Sequence, residues 1–176
     1  RVTENIPGDD VEFQIKLGPG GLRDIEFTVQ LLQLVHGLVD DTVRTKGTLE
    51  SLARLSEAGY VGRDEAQSFA ENYRFLRLLE HRMQLRDLSR THLMPRDEAG
   101  QRVLARATGL WNTAEEVVSH WQQTKLDVRE LHERLFYRPL LAAVAKLPEE
   151  THQLTSDQAE ARLAAIGFRD PQGSLK

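Results

Sequence analysis

The chain has 176 residues, 40% of them hydrophobic and 28% charged, and its 27 acidic against 23 basic side chains give a formal charge of -4. That composition supports one packed domain plus a smaller remainder and excludes collagen-like and wholly disordered chains. The negative balance leaves no global field for nucleic acid or an anionic membrane, so any anion site is local.

Cysteine is absent, which excludes disulfides, thiolate catalysis and cysteine-based zinc or iron-sulfur sites and suits a reducing cytoplasm. No window approaches the roughly 18 uninterrupted apolar residues of a membrane span, and no basic-then-apolar leader opens the chain. The first residue is Arg1 rather than methionine, and the expectation drawn is a piece of a longer protein whose catalytic parts lie elsewhere.

From the N-terminus, Val11, Phe13, Ile15 and Leu17 alternate with polar side chains and predict a short strand or extended arm. Gly18-Pro19-Gly20-Gly21 then signals a turn, and Leu22, Ile25, Val29 and Leu32 recur at helical spacing, predicting a helix over Leu22 to His36. A second, short helix opens after Thr45 to Gly47, with Leu49, Leu52, Ala53 and Ser56 on one face and Gly59 as a left-handed stop. From Arg63 to Ser89 neither glycine nor proline intervenes, and Ala66, Phe69, Tyr73, Leu76, Glu80 and Met83 advance in steps of three and four. They predict an amphipathic helix of roughly 40 Å.

Pro95 introduces a helix near Arg96, with Val103, Leu104 and Ala107 inward and Gly109 as its stop. Thr113 and Glu116 fit a capping box. Behind it Val117, Trp121, Thr124, Val128, Leu131 and Leu135 form the seam of a bundle helix that Arg138-Pro139 ends or kinks. Pro148 to Thr151 reads as a linker, Ser156 caps a further helix, and Asp170-Pro171 starts another. The expected fold is an all-α bundle of about five main helices with a short N-terminal extended segment. Residues 1–21 are expected to be a junction, 22–147 the bundle, and 148–176 a linker with the start of another helical region.

The most informative stretch runs from Lys16 to Glu26. Glycines let a backbone approach an anion closely, the helix that follows offers unpaired amides, and Lys16 and Arg23 could neutralise phosphate oxygens. Lys16, Gly18, Gly20, Gly21 and Arg23 are therefore the candidate phosphate residues. The alternative is a plain strand-to-helix turn whose Asp24 and Glu26 only favour a helix start. That acidic pair is the accessory-carboxylate candidate, although a spacing of two on a helix points the two groups apart. The pattern is neither the dinucleotide fingerprint nor the Walker phosphate loop.

On the long helix Arg74, Arg77, His81, Arg82, Arg86 and Arg90 form a basic stripe interleaved with Glu71, Glu80 and Asp87. A solvated, salt-bridged face is the plainer reading, and a surface for an acidic partner at Arg74, Arg77, Arg82 and Arg86 is the functional one. No aromatic residues alternate with these arginines, which argues against a nucleic-acid groove. The histidines form no zinc-protease spacing, no metal-ligand set is indicated, and no nucleophile elbow occurs.

The run Ile15-Lys-Leu-Gly-Pro-Gly-Gly-Leu-Arg-Asp-Ile-Glu-Phe27 with Val29-Gln30 resembles the motif just after the nucleotidyltransferase domain in the bifunctional glutamine synthetase adenylyltransferase family. Its shorter core is similar to the equivalent junction of the uridylyltransferase that modifies the PII signalling protein. Tyr73-Arg-Phe-Leu-Arg-Leu-Leu-Glu-His81 resembles the family's long helix, extending the likeness over about residues 11–137, and Ala161 to Pro171 looks like the start of the central region in actinobacterial members.

The resemblance implies a helical domain that follows the N-terminal, adenylyl-removing nucleotidyltransferase domain. It implies a parent that uses ATP and magnesium to adenylylate glutamine synthetase and phosphate to reverse the reaction, with PII protein and glutamine as regulators. The family's metal site rests on a Gly-Ser followed by Asp-x-Asp. No Asp-x-Asp occurs here, and Gly173-Ser174 stands without carboxylates. The chain alone is thus expected to be inactive, to bind neither magnesium nor ATP by itself, and to pack on the upstream catalytic domain, with no nucleic acid or membrane partner. The other expectation is a stand-alone helical module that holds an acidic partner through the arginine stripe.

Overall fold

A computed structural model describes residues 8–88 and 91–145, with side chains described for 10–86, 88 and 91–136. It shows an all-α bundle of five helices: α1 (Leu22–His36), α2 (Thr48–Glu57), α3 (Arg63–Asp87), α4 (Glu98–Thr108) and α5 (Ala114–Ala145). Short 3-10 turns cover Gly8–Phe13 and Asp41–Val43. The chain divides into two units, Arg1–Pro139 and Leu140–Lys176, and the core lies in the first. The linker at Pro148, the helix capped by Ser156, the start at Asp170-Pro171 and Arg90 all lie outside the described residues.

The expected strand over Val11 to Leu17 reduces to a single bridge. Gln14 pairs with Leu93, Ile15 donates to His92 O at 2.9 Å, and Met94 donates to Phe13 O at 2.8 Å. Of the four alternating apolar residues Ile15 is fully buried and Phe13 packs on the core, while Val11 and Leu17 are half-buried like Gln14 and Lys16 between them. Residues 11–13 lie in a 3-10 turn, and among the described residues 92–94 supply the backbone pairing, too short a partner for a ladder.

Helix α1 occupies the residues that its spacing predicted. Its buried face, with Leu22, Ile25, Val29 and Leu32, packs on α2 and α3. Helix α3 packs also on α4, is roughly 38 Å long, and buries Ala66, Phe69, Leu76, Leu79 and Met83. The seam of α5 is buried at all six predicted positions. Its cap is the predicted box: Glu116 N donates to Thr113 Oγ1 at 3.2 Å, and Thr113 N donates to Glu116 Oε2 at 3.1 Å. Removing a core side chain such as Leu79 costs roughly 2–5 kcal/mol.

Faces and ends differ from expectation in three places. In α4, Leu104, Ala105 and Thr108 are buried while Val103 and Ala107 are exposed. Thr108 can enter the core because its hydroxyl donates to Ala105 O at 2.6 Å. In α2, Ser51 and Leu55 replace Ala53 on the inward face. Ser51 donates to Gly47 O at 2.9 Å and lies 2.7 Å from Thr45 Oγ1. Finally, α5 runs past Pro139 to Ala145, so of the two outcomes expected at Arg138-Pro139, an end or a kink, the end does not occur. Proline removes one ladder bond and crowds the preceding turn, a cost that a long helix absorbs.

Candidate functional site

The glycine turn is built against α5. Gly20 has φ +74°, and a Cβ there would lie 2.1 Å from Lys125 O, so only glycine lets the turn reach that helix. Its amide donates to Asp24 Oδ2 at 2.8 Å. Gly21 N donates to Gly18 O at 2.9 Å, Leu22 N to Ile15 O at 3.0 Å, and Arg23 N to Lys16 O at 3.1 Å. These bonds correct the expectation of unpaired amides: the start of α1 spends its donors on the arm and turn. Any anion here must be met by the side chains of Lys16 and Arg23.

The structure does not bring those two cations to a common partner. Lys16 Nζ lies 3.5 Å from Glu80 Oε1, and Arg23 places its guanidinium 4.8 Å from the centre of the Phe27 ring. Glu80 is 2% exposed, and basic side chains from three segments surround it. Arg77 pairs with its Oε2, and His92 Nδ1 stands 3.0 Å from Oε1 without the angle of a hydrogen bond. Lys16 and Arg77 keep about a third of their side-chain surface open, at 34% and 35%. Glu80 therefore ties the arm before the turn, the middle of α3 and the segment before α4 together.

The two candidate carboxylates point apart. Asp24 serves the turn through Gly20 and lies 4.0 Å from Arg129 of α5. Glu26 faces α3 and accepts from the Tyr73 hydroxyl at 3.4 Å. Thr28 donates to Asp24 O at 2.7 Å, and His132 Nδ1 sits 2.8 Å from Thr28 Oγ1 and 3.2 Å from Asp24 O. Among the described residues no group of three histidine or acidic side chains is placed to hold a metal ion.

The arginine stripe divides. Arg77 turns inward to Glu80 and reaches His81 Nε2 at 3.2 Å. Arg74, Arg82 and Arg86 are exposed, and among the described residues Arg74 and Arg82 form no ion pair. Arg74 borders a groove of about 620 Å³ between α2 and α3.

Three contributors were not evident from the sequence. Lys125 donates to Glu12 O at 2.8 Å and lies 4.8 Å from the Trp121 ring, clamping the arm onto α5; burial lowers its pKa. His92 and His132 also act as fasteners. Each joins segments far apart in the chain, and neither periodicity nor local motif signals such a partner.

The turn from Gly18 to Gly21, helices α1 to α4 and most of α5 lie inside a stretch shared with a known protein family. The profile described as GlnD PII-uridylyltransferase matches residues 5–136, and the chain belongs to that family. Among curated relatives it is similar to the bifunctional glutamine synthetase adenylyltransferase/adenylyl-removing enzyme of Leifsonia xyli subsp. xyli, with 62% identity across 99% of this chain and 18% of that protein. The enzyme of the same name from Streptomyces coelicolor is 51% identical across 100% of this chain and 18% of its own length. That of Mycobacterium avium is 46% identical, again over 100% and 18%. The chain thus spans less than a fifth of these relatives.

Proposed function

We propose that this chain is the helical domain of a bifunctional glutamine synthetase adenylyltransferase/adenylyl-removing enzyme, packed on a nucleotidyltransferase domain and forming the nucleotide-side edge of its cleft. The observation that carries this reading is the glycine turn fixed against α5, which leaves the Arg23 side chain beside Phe27 as its outward cation while Lys16 is held by Glu80. The names and high identities of the relatives support it.

The chemistry divides between the two domains. Magnesium, which such a parent uses with ATP, does not fit the donors of this chain: Asp24 is bonded to the turn, Glu26 faces Tyr73, and no Asp-x-Asp occurs. The carboxylates that hold the metal belong to the partner domain, and no step of transfer is carried by the helical domain. Its part is to place cationic side chains beside nucleotide phosphates without reorganisation. Glutamine synthetase and PII protein are the partners of the whole enzyme, and the cytoplasm is its compartment. No described helix is long and apolar enough to cross a membrane.

Reconstitution tests this division. The 176-residue chain incubated with ATP, magnesium and glutamine synthetase should transfer no adenylyl group, while added to a separately made nucleotidyltransferase domain it should restore nucleotide affinity. Metal-dependent turnover by the chain alone would refute the assignment. A second reading, an acidic partner held by the stripe, is favoured only by the exposed Arg74 and Arg82.

A further inference from the structure

Helix α1 is apolar on both sides. Opposite its buried face, Phe27, Leu31, Leu34 and Leu38 follow Arg23 in steps of four, four, three and four, with Val35 and Val39 alongside. These residues do not enter the core: Phe27 is 37% exposed, Val35 45%, Leu34 79%, Val39 82% and Leu38 86%. An isolated exposed leucine needs no explanation, but a continuous stripe along one helix marks a covered surface. At its far end the stripe borders a groove of about 810 Å³ floored by Leu34 and Leu38, with Gln30, Arg44 and Lys46 at the edges. Arg44 is held in place there by donating to Gly37 O.

We propose that this outward face of α1 and the turn after it, from Phe27 to Val39, is the surface on which the nucleotidyltransferase domain docks. The inference rests on the reading above and adds which face is used. Two observations select that occupant. The guanidinium of Arg23 lies 4.8 Å from the centre of the Phe27 ring, so a body that brings a nucleotide phosphate to Arg23 also lies against Phe27, where the apolar stripe begins. In relatives of this family the chain corresponds to only 18% of the polypeptide, so ample sequence exists in the same molecule to supply the cover. A second copy of the chain would bring no nucleotide to Arg23.

This chain holds no cysteine, so a thiol introduced into it is followed by mapping the peptide that carries it. Leu38→Cys and, as a control on the exposed side of α3, Leu85→Cys are made both in the 176-residue chain and in the full-length enzyme of this family. Both sites are exposed, so neither change disturbs the core. A maleimide should modify position 38 about tenfold or more slowly in the full-length enzyme than in the short chain, and position 85 at similar rates in both, because modification of a covered site waits on local opening. A bifunctional thiol-to-amine reagent at position 38 should then cross-link to peptides of the nucleotidyltransferase domain.

Equal modification at position 38 in an enzyme that still transfers adenylyl groups would overturn the docking face. Cross-links confined to another region, or protection lost on dilution as for a second copy, would overturn the choice of occupant. The parent reading fails separately: reconstitution without any gain in nucleotide affinity would count against it whatever the labelling shows.

Discussion

Lys16, on the arm that precedes the glycine turn, and Glu80, in the second half of α3, form an ion pair at 3.5 Å although 64 positions separate them in sequence (80 − 16 = 64). The pair sits where the two most characteristic motifs of the chain meet. Glu80 is the member with no access to water, so it depends on its partners more than they depend on it.

Replacement of Glu80 by Gln removes the charge and keeps the shape. Lys16 and Arg77 are partly open and can rehydrate, so the loss should be about 2 kcal/mol, below the full cost of stranding a buried ion. Urea unfolding measures it. An unchanged midpoint would show that the cluster does not hold the arm to α3.

Gly20 and Gly59 offer a controlled comparison. Both have positive φ, +74° and +79°, but a Cβ at Gly59 meets nothing within 4 Å while one at Gly20 runs into the Lys125 carbonyl. Gly59→Ala should therefore cost about 1 kcal/mol, from backbone conformation alone. Gly20→Ala should cost about 3 kcal/mol or more and loosen the turn from α5, since steric overlap adds to the same strain. Equal midpoints in thermal or urea unfolding would contradict the close approach.

The Thr113–Glu116 box carries a pH signature. Hydrogen bonds from the Thr113 side chain, then from the backbone amides of Thr113 and Asn112, lower the Glu116 pKa. The carboxylate is favoured in the folded state, so its contribution is complete above the ordinary glutamate value of about 4.3 and fades as pH falls through the lower folded value. An NMR titration should find Glu116 below that ordinary value and moved upward by Thr113→Ala, which should also cost about 1 kcal/mol at neutral pH. An unshifted Glu116 would remove the box from the account.

The arginines of α3 should separate by position. Arg77→Glu would place a second carboxylate beside the buried Glu80 and should destabilise the fold strongly. Arg74→Glu with Arg82→Glu should leave stability within about 0.5 kcal/mol, as surface changes do. Under the proposed function, any response of the full-length enzyme to PII protein should also survive the Arg74 and Arg82 changes. A lost response would favour the acidic-partner reading.

Much of this was legible from spacing. The seam from Val117 to Leu135 and the inward position of Glu80 both follow from steps of three and four, because periodicity reports the buried face whatever the side chain. Spacing failed where more than one face looked alike. Val103 and Ala107 were as apolar as Ala105 and Thr108, and only packing on α3 decides between them. The apolar outward side of α1 was hidden for the same reason. In the site, the residue types were readable and their use was not: the amides of Gly20 to Arg23 are consumed by Asp24, Gly18, Ile15 and Lys16, and Lys16 finds its partner on α3. Local sequence carries no information about acceptors that tertiary folding supplies.

The central claim is that this domain lends a cation to the nucleotide of its neighbour, and ATP binding to the full-length enzyme with Arg23→Ala tests it most directly. Arg23 carries no ion pair among the described residues and stands on the surface face of α1, so its removal should leave the fold intact. Loss of one charge-assisted contact, on the order of 1.5–3 kcal/mol, predicts ATP affinity weakened by about tenfold to a hundredfold. Unchanged ATP affinity in a stably folded Arg23→Ala enzyme would contradict it.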